Sequence, residues 1–325
     1  MSASATRQDV DTGDGAEGVL VARTDSPTRT KTVEERYAQK LRGGYQRINT
    51  VVRKYVGERD VLGLGDGELT AVEAPPDFSF IRDDQKISEF REWLDQAQED
   101  EILDVVGEGE NRYVRQAYET GVRATNADIR QAGVGTPATN AAVSLQLPIH
   151  QDTLQRLFTR NFSELQGLTD EMGRDVAREL TESMARGEGP RDAARRLTDV
   201  LGSVEDGTPH GAQARATTIA RTEMLRARHL AAQEQYQRFG VELVEPLLAP
   251  SACPQCVAVA AGAPYKASEI SGIWPVHPNC RCSVTVYTGS AEATASAYRV
   301  PVEMAETLAA SPAPMTPERL HATGA

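Results

Sequence analysis

The side chains with the clearest capacity for chemistry are four cysteines and one histidine near the end of the chain. Cys253-Pro-Gln-Cys256 is a knuckle whose two thiolates can face one ion, and His277-Pro-Asn-Cys280-Arg-Cys282 follows about 20 residues later. Thiolate and imidazole groups are the ligands that zinc prefers. The spacing therefore predicts one zinc ion bound by this cluster.

Five candidate ligands compete for four tetrahedral positions. The knuckle with His277 and one of Cys280 or Cys282 makes a site of three thiolates and one imidazole, whereas all four cysteines make an all-thiolate site. Either set leaves no position for water, which is typical of a structural zinc site. Because this small β region, predicted to consist of compact loops between strands, has little core, the ion is expected to contribute on the order of 10 kcal/mol to its folding.

Two disulfides, or four free thiols, are the alternatives to a metal site. Synthesis in a cytoplasm disfavours stable disulfides, although oxidation outside the cell is compatible with them. A redox role for Cys253 and Cys256 is disfavoured because redox motifs of this kind lie between a strand and the N-terminus of a helix. This motif is predicted to lie in loops.

A second group of candidate residues, Arg221, Thr222 and Glu223, lies in a long helix predicted over residues 213–239. Residues two apart on a helix project about 200° apart, so Arg221 and Glu223 cannot build one site on the same face. They are interpreted either as exposed charges or as buried anchors. One form of the second interpretation has Glu223 orient His277 beside the metal.

The elements that must position these residues are mostly helices. Aromatic residues make up only 5% of the chain, and apolar residues recur at helical spacing. The predicted fold is therefore mainly α, with long helices, a flexible N-terminal arm and a small C-terminal α+β zinc-binding module. Helices are predicted near residues 33–55, 81–106, 112–131, 168–184, 190–202, 213–239 and 302–309, and strands over 241–250 and 283–287.

Composition divides the chain into four predicted segments. Residues 1–30 are rich in Ser, Thr, Gly and Asp and are expected to form a flexible arm. A helical N-terminal region follows over 31–147. The next domain spans 148–287 with the Cys/His module at 241–287, and residues 288–325 form a low-complexity tail.

One predicted helix carries mostly basic residues between its apolar positions, from Arg36 to Arg59. A solvated face is the ordinary explanation of such a charge run. Phosphates or an acidic protein face are alternative partners, and the acidic helix at 81–106 is a third, intramolecular one.

Charge and hydropathy exclude several classes of protein. Asp and Glu number 47 against 35 Lys and Arg, and the net charge of −12 disfavours general DNA coating and attachment to anionic membranes. No apolar run approaches the roughly 20 residues of a membrane span, and the N-terminus lacks the apolar core of a signal peptide. We expect a soluble cytoplasmic product. The abundance of acidic residues and the scarcity of lysine suggest a halophilic or GC-rich host.

The sequence contains no GxSxG, HExxH or P-loop motif, and no other catalytic pattern stands out. The prediction is that the protein is not an enzyme.

The order of these features resembles the tailed-phage head-morphogenesis family, the Mu F-like minor capsid proteins. An Ala-Arg-Thr-Glu helix, a strand, the Cys-Pro-Gln-Cys knuckle and the His-Pro-Asn-Cys-Arg-Cys segment occur in the succession found in that family. The resemblance covers roughly the second half of the chain. One departure is Ala249-Pro250-Ser251-Ala252, which stands where the family often has an acidic residue followed by Arg-Thr.

The resemblance implies a structural adaptor present in few copies in the virion, at the head interior or portal vertex. Its implied partners are the portal protein and the major capsid or scaffold protein during procapsid assembly in the host cytoplasm. Contact with viral DNA is left open, and no membrane partner is implied. By the same resemblance, Arg221, Thr222 and Glu223 are structural signature residues. The alternative function is a zinc-dependent nucleic-acid-binding regulatory protein.

Overall fold

The computed structural model describes residues 18–65, 86–138, 140–205, 208–289, 297–311 and 315. Most of the predicted arm, residues 1–17, lies outside the described residues, as does most of the chain beyond residue 311. Within the described part the protein is mainly helical with a small sheet, as predicted. Each helix found there is too short or too polar to cross a membrane.

The α-helices of the described part of the chain follow one another with short connections. They are α1 Lys31–Val52, α2 Lys86–Gln98, α3 Asp104–Val106, α4 Arg112–Gln131, α5 Ala141–Leu145, α6 Pro148–Ala185, α7 Pro190–Leu201, α8 Gly211–Arg238, α9 Pro254–Ala261, α10 Ile270–Ile273 and α11 Val302–Ala309. π-helical turns at Arg53–Glu58 and Glu99–Leu103 continue α1 and α2, and a 3-10 turn at Ala267–Glu269 precedes α10.

Local signals in the sequence account for several helix ends. The side chain of Asn111 accepts hydrogen bonds from the first backbone N–H groups of α4, at Tyr113 and Val114. Pro190 occupies the first turn of α7, where its missing N–H costs nothing, and Gly202 ends that helix with a φ of 86°. The predicted bounds of α4 and α11 are confirmed residue for residue.

Helix α8 packs against α1, α4, α6 and α7. One face of α8 is a stripe of mostly small residues, and it is completely buried: Ala216, Ala220, Met224, Ala227 and Ala231. A Cβ atom at Gly121 of α4 would lie 2.6 Å from the carbonyl oxygen of Arg228, so the two helices approach as closely as a glycine allows. One hydrophobic cluster runs from Val33 to residue 231, and residues 31–147 therefore share a core with the helices that follow.

The sheet gathers strands from both ends of the described chain. Its strands are β1 Val19–Ala22, β4 Leu243–Leu248, β5 Tyr265–Lys266, β6 Ser283–Val286 and β7 Ala297–Val300, and a separate hairpin pairs β2 Val204–Glu205 with β3 Thr208–Pro209. Strand β4 pairs with β6 along one edge; along the other it pairs first with β5 and then, in parallel, with β1. The strands predicted within 241–250 and 283–287 are confirmed.

The predicted flexible arm is wrong over its described part. Strand β1 lies between β4 and β7, with Leu20 opposite Leu247 on one side and Arg299 on the other. All four residues of β1 are buried. A run of four apolar residues is too short to show a period, and its hydrogen-bonding partners lie more than 200 residues away in sequence. The low-complexity tail contains α11, as predicted, and also β7, which was not predicted.

The expectation that the cysteine region has little core is also wrong. One apolar cluster joins β1, α9 and α11 around Leu248, Cys256 and Cys282. A second surrounds Trp274, which is 2% exposed, and includes Tyr236 of α8. The first cluster forms because β1 and α11 cover the region, and the second because α4 and α8 pack against it. The local sequence of 241–287 reveals neither contact.

Candidate metal centre

The structure brings the two predicted groups of ligands together. The Sγ atoms of Cys253 and Cys256 lie 3.3 Å and 3.2 Å from Nε2 of His277, and Sγ of Cys256 lies 3.6 Å from Sγ of Cys280. A tetrahedral zinc site places its ligand atoms about 3.5–3.8 Å apart, given Zn–S and Zn–N bonds of about 2.3 Å and 2.0 Å. The observed spacing is close to that of a site around one ion.

The five donors form two overlapping sets. Cys253, Cys256 and His277 make one, and Cys256, Cys280 and Cys282 make the other, with the ligand atoms of each set within 4.8 Å of one another. Cys256 belongs to both. All four cysteines are free thiols, and the 3.6 Å between Cys256 and Cys280 is well beyond a disulfide bond of about 2.05 Å. The cluster can hold a metal ion.

Helix α9 positions the knuckle. Cys253 is the N-cap residue of α9, Pro254 occupies its first turn, and Cys256 follows in the same turn, so both sulfurs lie at the helix N-terminus. The partial positive charge there favours thiolates. The prediction that the knuckle lies in loops is wrong, because it joins strand β4 to a helix. The argument from local structure against redox chemistry therefore fails. What distinguishes this site from a redox motif is that five donor side chains converge on it.

A tight turn positions the second group of ligands. The backbone N–H of Cys280 donates to the carbonyl oxygen of His277 at 3.2 Å, and Asn279 adopts a φ of 60°, a left-handed conformation that asparagine tolerates. Nδ1 of His277 lies 2.7 Å from the carbonyl oxygen of Pro278. Since a carbonyl only accepts, Nδ1 carries the proton and Nε2 presents its lone pair to Cys253 and Cys256.

The thiols are electrostatically coupled. The hydrogen bond with Cys256 and a second with Cys282 lower the pKa of the Cys280 thiol, and the contact with Cys280 raises the pKa of Cys256. A metal ion binds thiolates, so its binding would displace the protons that these thiols carry.

Helix α8 holds the turn through Thr222. Its Oγ1 accepts from the backbone N–H of Asn279 at 3.3 Å, and Oγ1 of Thr218, one turn earlier, accepts from Nδ2 of Asn279 at the same distance. Asn279 lies between His277 and Cys280. The Arg-Thr-Glu signature therefore supports the ligand turn through its threonine.

Glu223 does not lie beside His277, the position considered for it from the sequence. Its side chain is 5% exposed and forms ion pairs with Arg160 of α6 and Arg226, both at 3.3 Å. Burial raises the pKa of Glu223, and the two arginines oppose that shift. The interpretation of Glu223 as a buried anchor is confirmed, but it anchors α8 to α6.

Arg221 projects to the opposite side of α8. Burial and the nearby charge of Arg281 lower the pKa of its guanidinium, and Glu34 of α1 opposes that effect. Arg221 and Glu223 thus serve different faces, as the 200° separation requires.

Comparison with known proteins finds a family likeness for the part of the chain that holds this site. Residues 174–285 match the family model described as Phage Mu protein F like protein. This part of the chain, here called the Mu F-like domain, is similar to that family. The match begins within α6 and ends within β6, so it contains Arg221–Glu223 and all five donors. Neither a curated protein nor a solved structure matches the chain significantly.

The Mu F-like domain is tied to α1 by an ion pair that the sequence does not reveal. Nη1 of Arg281, between Cys280 and Cys282, lies 2.5 Å from Oε2 of Glu34. The Glu34 side chain is 3% exposed and its other oxygen accepts from Thr30 at 2.6 Å. The only local signal is an acidic residue in the first turn of a helix, which does not point to a partner 247 positions away.

Replacing Arg281 by alanine is expected to lower the free energy of unfolding by about 2 kcal/mol. The change leaves the Glu34 carboxylate buried without its countercharge; breaking a fully buried pair costs about 3–5 kcal/mol, and the 25% exposure of Arg281 reduces the effect. Urea unfolding measures the loss. Arg178→Ala is the matched control: Arg178 pairs with Asp175 but is 60% exposed, so a change within about 0.5 kcal/mol is expected. Equal losses in the two variants would contradict the role of the Arg281–Glu34 pair.

Proposed function

We propose that the protein is a minor head protein of a tailed phage, acting as a structural adaptor during procapsid assembly. The observation that carries this proposal is the Mu F-like match over residues 174–285, which includes the whole candidate metal centre. The head-morphogenesis role comes from the family resemblance. The virion is the proposed location, and the portal, major capsid and scaffold proteins are the proposed partners.

The proposed cofactor is one structural zinc ion. Cys253, Cys256 and His277 would supply three ligands, and we propose Cys280 as the fourth because its sulfur is 3.6 Å from that of Cys256. Zinc suits a donor set of sulfur and imidazole, and four such ligands close the coordination sphere. This supports a structural role for the ion and a protein without catalytic activity.

The ion would act by joining parts of the chain that are remote in sequence. It would connect the N-terminus of α9 to the turn at 277–280, which α8 holds through Thr222 and α1 holds through Arg281. Helices α1, α8 and α9 would then present a surface of fixed shape to a partner. Such pre-organisation reduces the entropy lost on binding.

Incorporation into heads tests the assembly role. We expect the full chain, co-expressed with the portal, scaffold and major capsid proteins of its own phage, to sediment with purified procapsids in few copies, as quantified by mass spectrometry. Heads assembled without the portal protein serve as the control for portal-dependent entry. Absence of the chain from procapsids, with normal head yield and shape when it is omitted, would refute the proposal.

The competing function, a zinc-dependent nucleic-acid-binding regulator, finds little support in the cysteine module. Lys266 and Arg281 are the only cations from Cys253 to Cys282, and Arg281 is paired with Glu34. A regulator needs several cations to contact phosphates. Sequence-specific DNA binding that disappears on zinc removal would favour the regulator.

A further inference from the structure

A basic cleft lies between helices α1 and α4, outside the Mu F-like domain. Its volume is about 760 Å³. Five cationic side chains and one acidic side chain line it: Arg36, Lys40, Arg47, Arg112, Arg115 and Glu119. The sign of this lining is opposite to the net charge of −12 carried by the whole chain. The cleft therefore concentrates positive potential on an otherwise acidic protein.

Most of this positive charge is available to a ligand. Arg36 and Lys40 form no ion pair with any residue that the structure describes. Arg47 and Arg115 pair with Glu101 and Glu110 in contacts that are partly or largely open to solvent. Exposed pairs of this kind contribute about 0–1 kcal/mol, so a phosphate can replace the carboxylate at little cost.

The cations are arranged along two walls. Arg36, Lys40 and Arg47 lie at positions i, i+4 and i+11 of α1, which spans about 16 Å along one helix face. Arg112 and Arg115 belong to the first turn of α4, where the backbone adds a partial positive charge. The guanidinium of Arg112 is held by its neighbour Tyr113, 4.8 Å above the ring and donating to the hydroxyl at 2.8 Å.

We propose that this cleft binds the phosphodiester backbone of DNA. Cations that line a cleft without base-reading contacts are sufficient for sequence-independent binding to phosphates. A protein partner would ordinarily require apolar anchors at the centre of its interface. The large apolar side chains exposed in the described chain, Val134, Val143 and Ile149, lie outside the cleft, and Tyr113 in its wall is buried. The proposal is independent of the head-assembly role.

Binding of the full chain to a fluorescent DNA duplex of about 30 base pairs, followed by anisotropy at several salt concentrations, tests the proposal. The variant Arg36→Glu with Lys40→Glu is expected to bind at least about tenfold more weakly, and to reduce the slope of log K against log salt by about 2. The matched control is Arg178→Glu with Arg195→Glu, which alters the net charge equally at two exposed sites that do not line the cleft. We expect less than a twofold change from the control.

With DNA as the probe, three results would overturn the proposal: no binding of DNA by the wild type at low salt, equal losses in the two variants, or unchanged binding by the cleft variant. A fluorescent polyglutamate peptide is the competing probe. Tighter binding of this peptide than of DNA, lost in the cleft variant, would assign the cleft to an acidic protein instead. Incorporation into procapsids is scored separately, so failure of DNA binding and failure of the assembly role are distinguishable.

Discussion

Replacing Cys256 by serine is expected to abolish stoichiometric zinc binding and to lower the free energy of unfolding by about 4 kcal/mol. Cys256 belongs to both sets of donors, so its loss breaks the link between the knuckle and the turn at 277–280. An ion present at about 1,000 times its dissociation constant stabilises the folded state by about 4 kcal/mol. Metal analysis and urea unfolding with zinc in the buffer measure the two effects.

The loss is expected to stay below the roughly 10 kcal/mol of isolated zinc modules that unfold without metal. Two apolar clusters, around Leu248 and Trp274, pack against the site and persist when the ion is absent. Unfolding is therefore expected to be confined first to α9 and the 277–282 segment. Hydrogen exchange should show increased opening there while α4 and α8 keep their protection.

Cys282→Ser is the matched control for the ligand set. Cys282 is as buried as Cys256 but belongs only to the second set of donors. If Cys280 is the fourth ligand, this variant retains one zinc per chain. Loss of zinc from Cys282→Ser, with zinc retained by Cys280→Ser, would reverse the assignment. Retention of zinc by Cys256→Ser would contradict the site as a whole.

Substitution of Gly121 by alanine is expected to destabilise the helical core by about 3 kcal/mol. The added Cβ would lie 2.6 Å from the carbonyl oxygen of Arg228 and 2.8 Å from Cβ of Ala231, distances that require α4 and α8 to separate. Overpacking of a core costs about 1–3 kcal/mol, and a backbone carbonyl has less freedom to shift than a side chain. Chemical denaturation measures the change.

Gly167→Ala in α6 provides the comparison. This glycine is also helical, but a Cβ atom there would have open space within 4 Å. The substitution is expected to stabilise the protein by about 0.5–1 kcal/mol through helix propensity. Destabilisation of both variants to the same extent would show that the α4–α8 contact is not the cause.

Local patterns predict much of the helical fold. The bounds of α4, α7 and α11 follow from caps and spacing that act within a few residues, such as Asn111 before α4 and Pro190 within α7. The buried stripe of α8 follows from its composition. These features can be predicted from the sequence because helix formation depends on hydrogen bonds between residues four apart.

The sequence predicts which residue types make up the candidate site, but it does not predict how the fold arranges them. The types and spacing of Cys253, Cys256, His277, Cys280 and Cys282 indicate a soft metal, and folding brings the five side chains together. The helix at the knuckle escapes prediction because only five residues separate β4 from α9, and α9 is short and apolar. The sequence does not predict the partners of Glu223, because the residues around it do not indicate which helix its side chain faces.

Residue types and local spacing are thus enough to specify the mainly helical fold, the donor set and the likeness to Mu F-like proteins. Tertiary packing alone brings residues 19–22 into the sheet, Glu34 to Arg281, Thr222 to the ligand turn, and α1 beside α4 to enclose a basic cleft. Each of these depends on segments far apart in the chain. Such contacts form because whole faces of helices and strands are buried together, and no local spacing encodes which faces will meet.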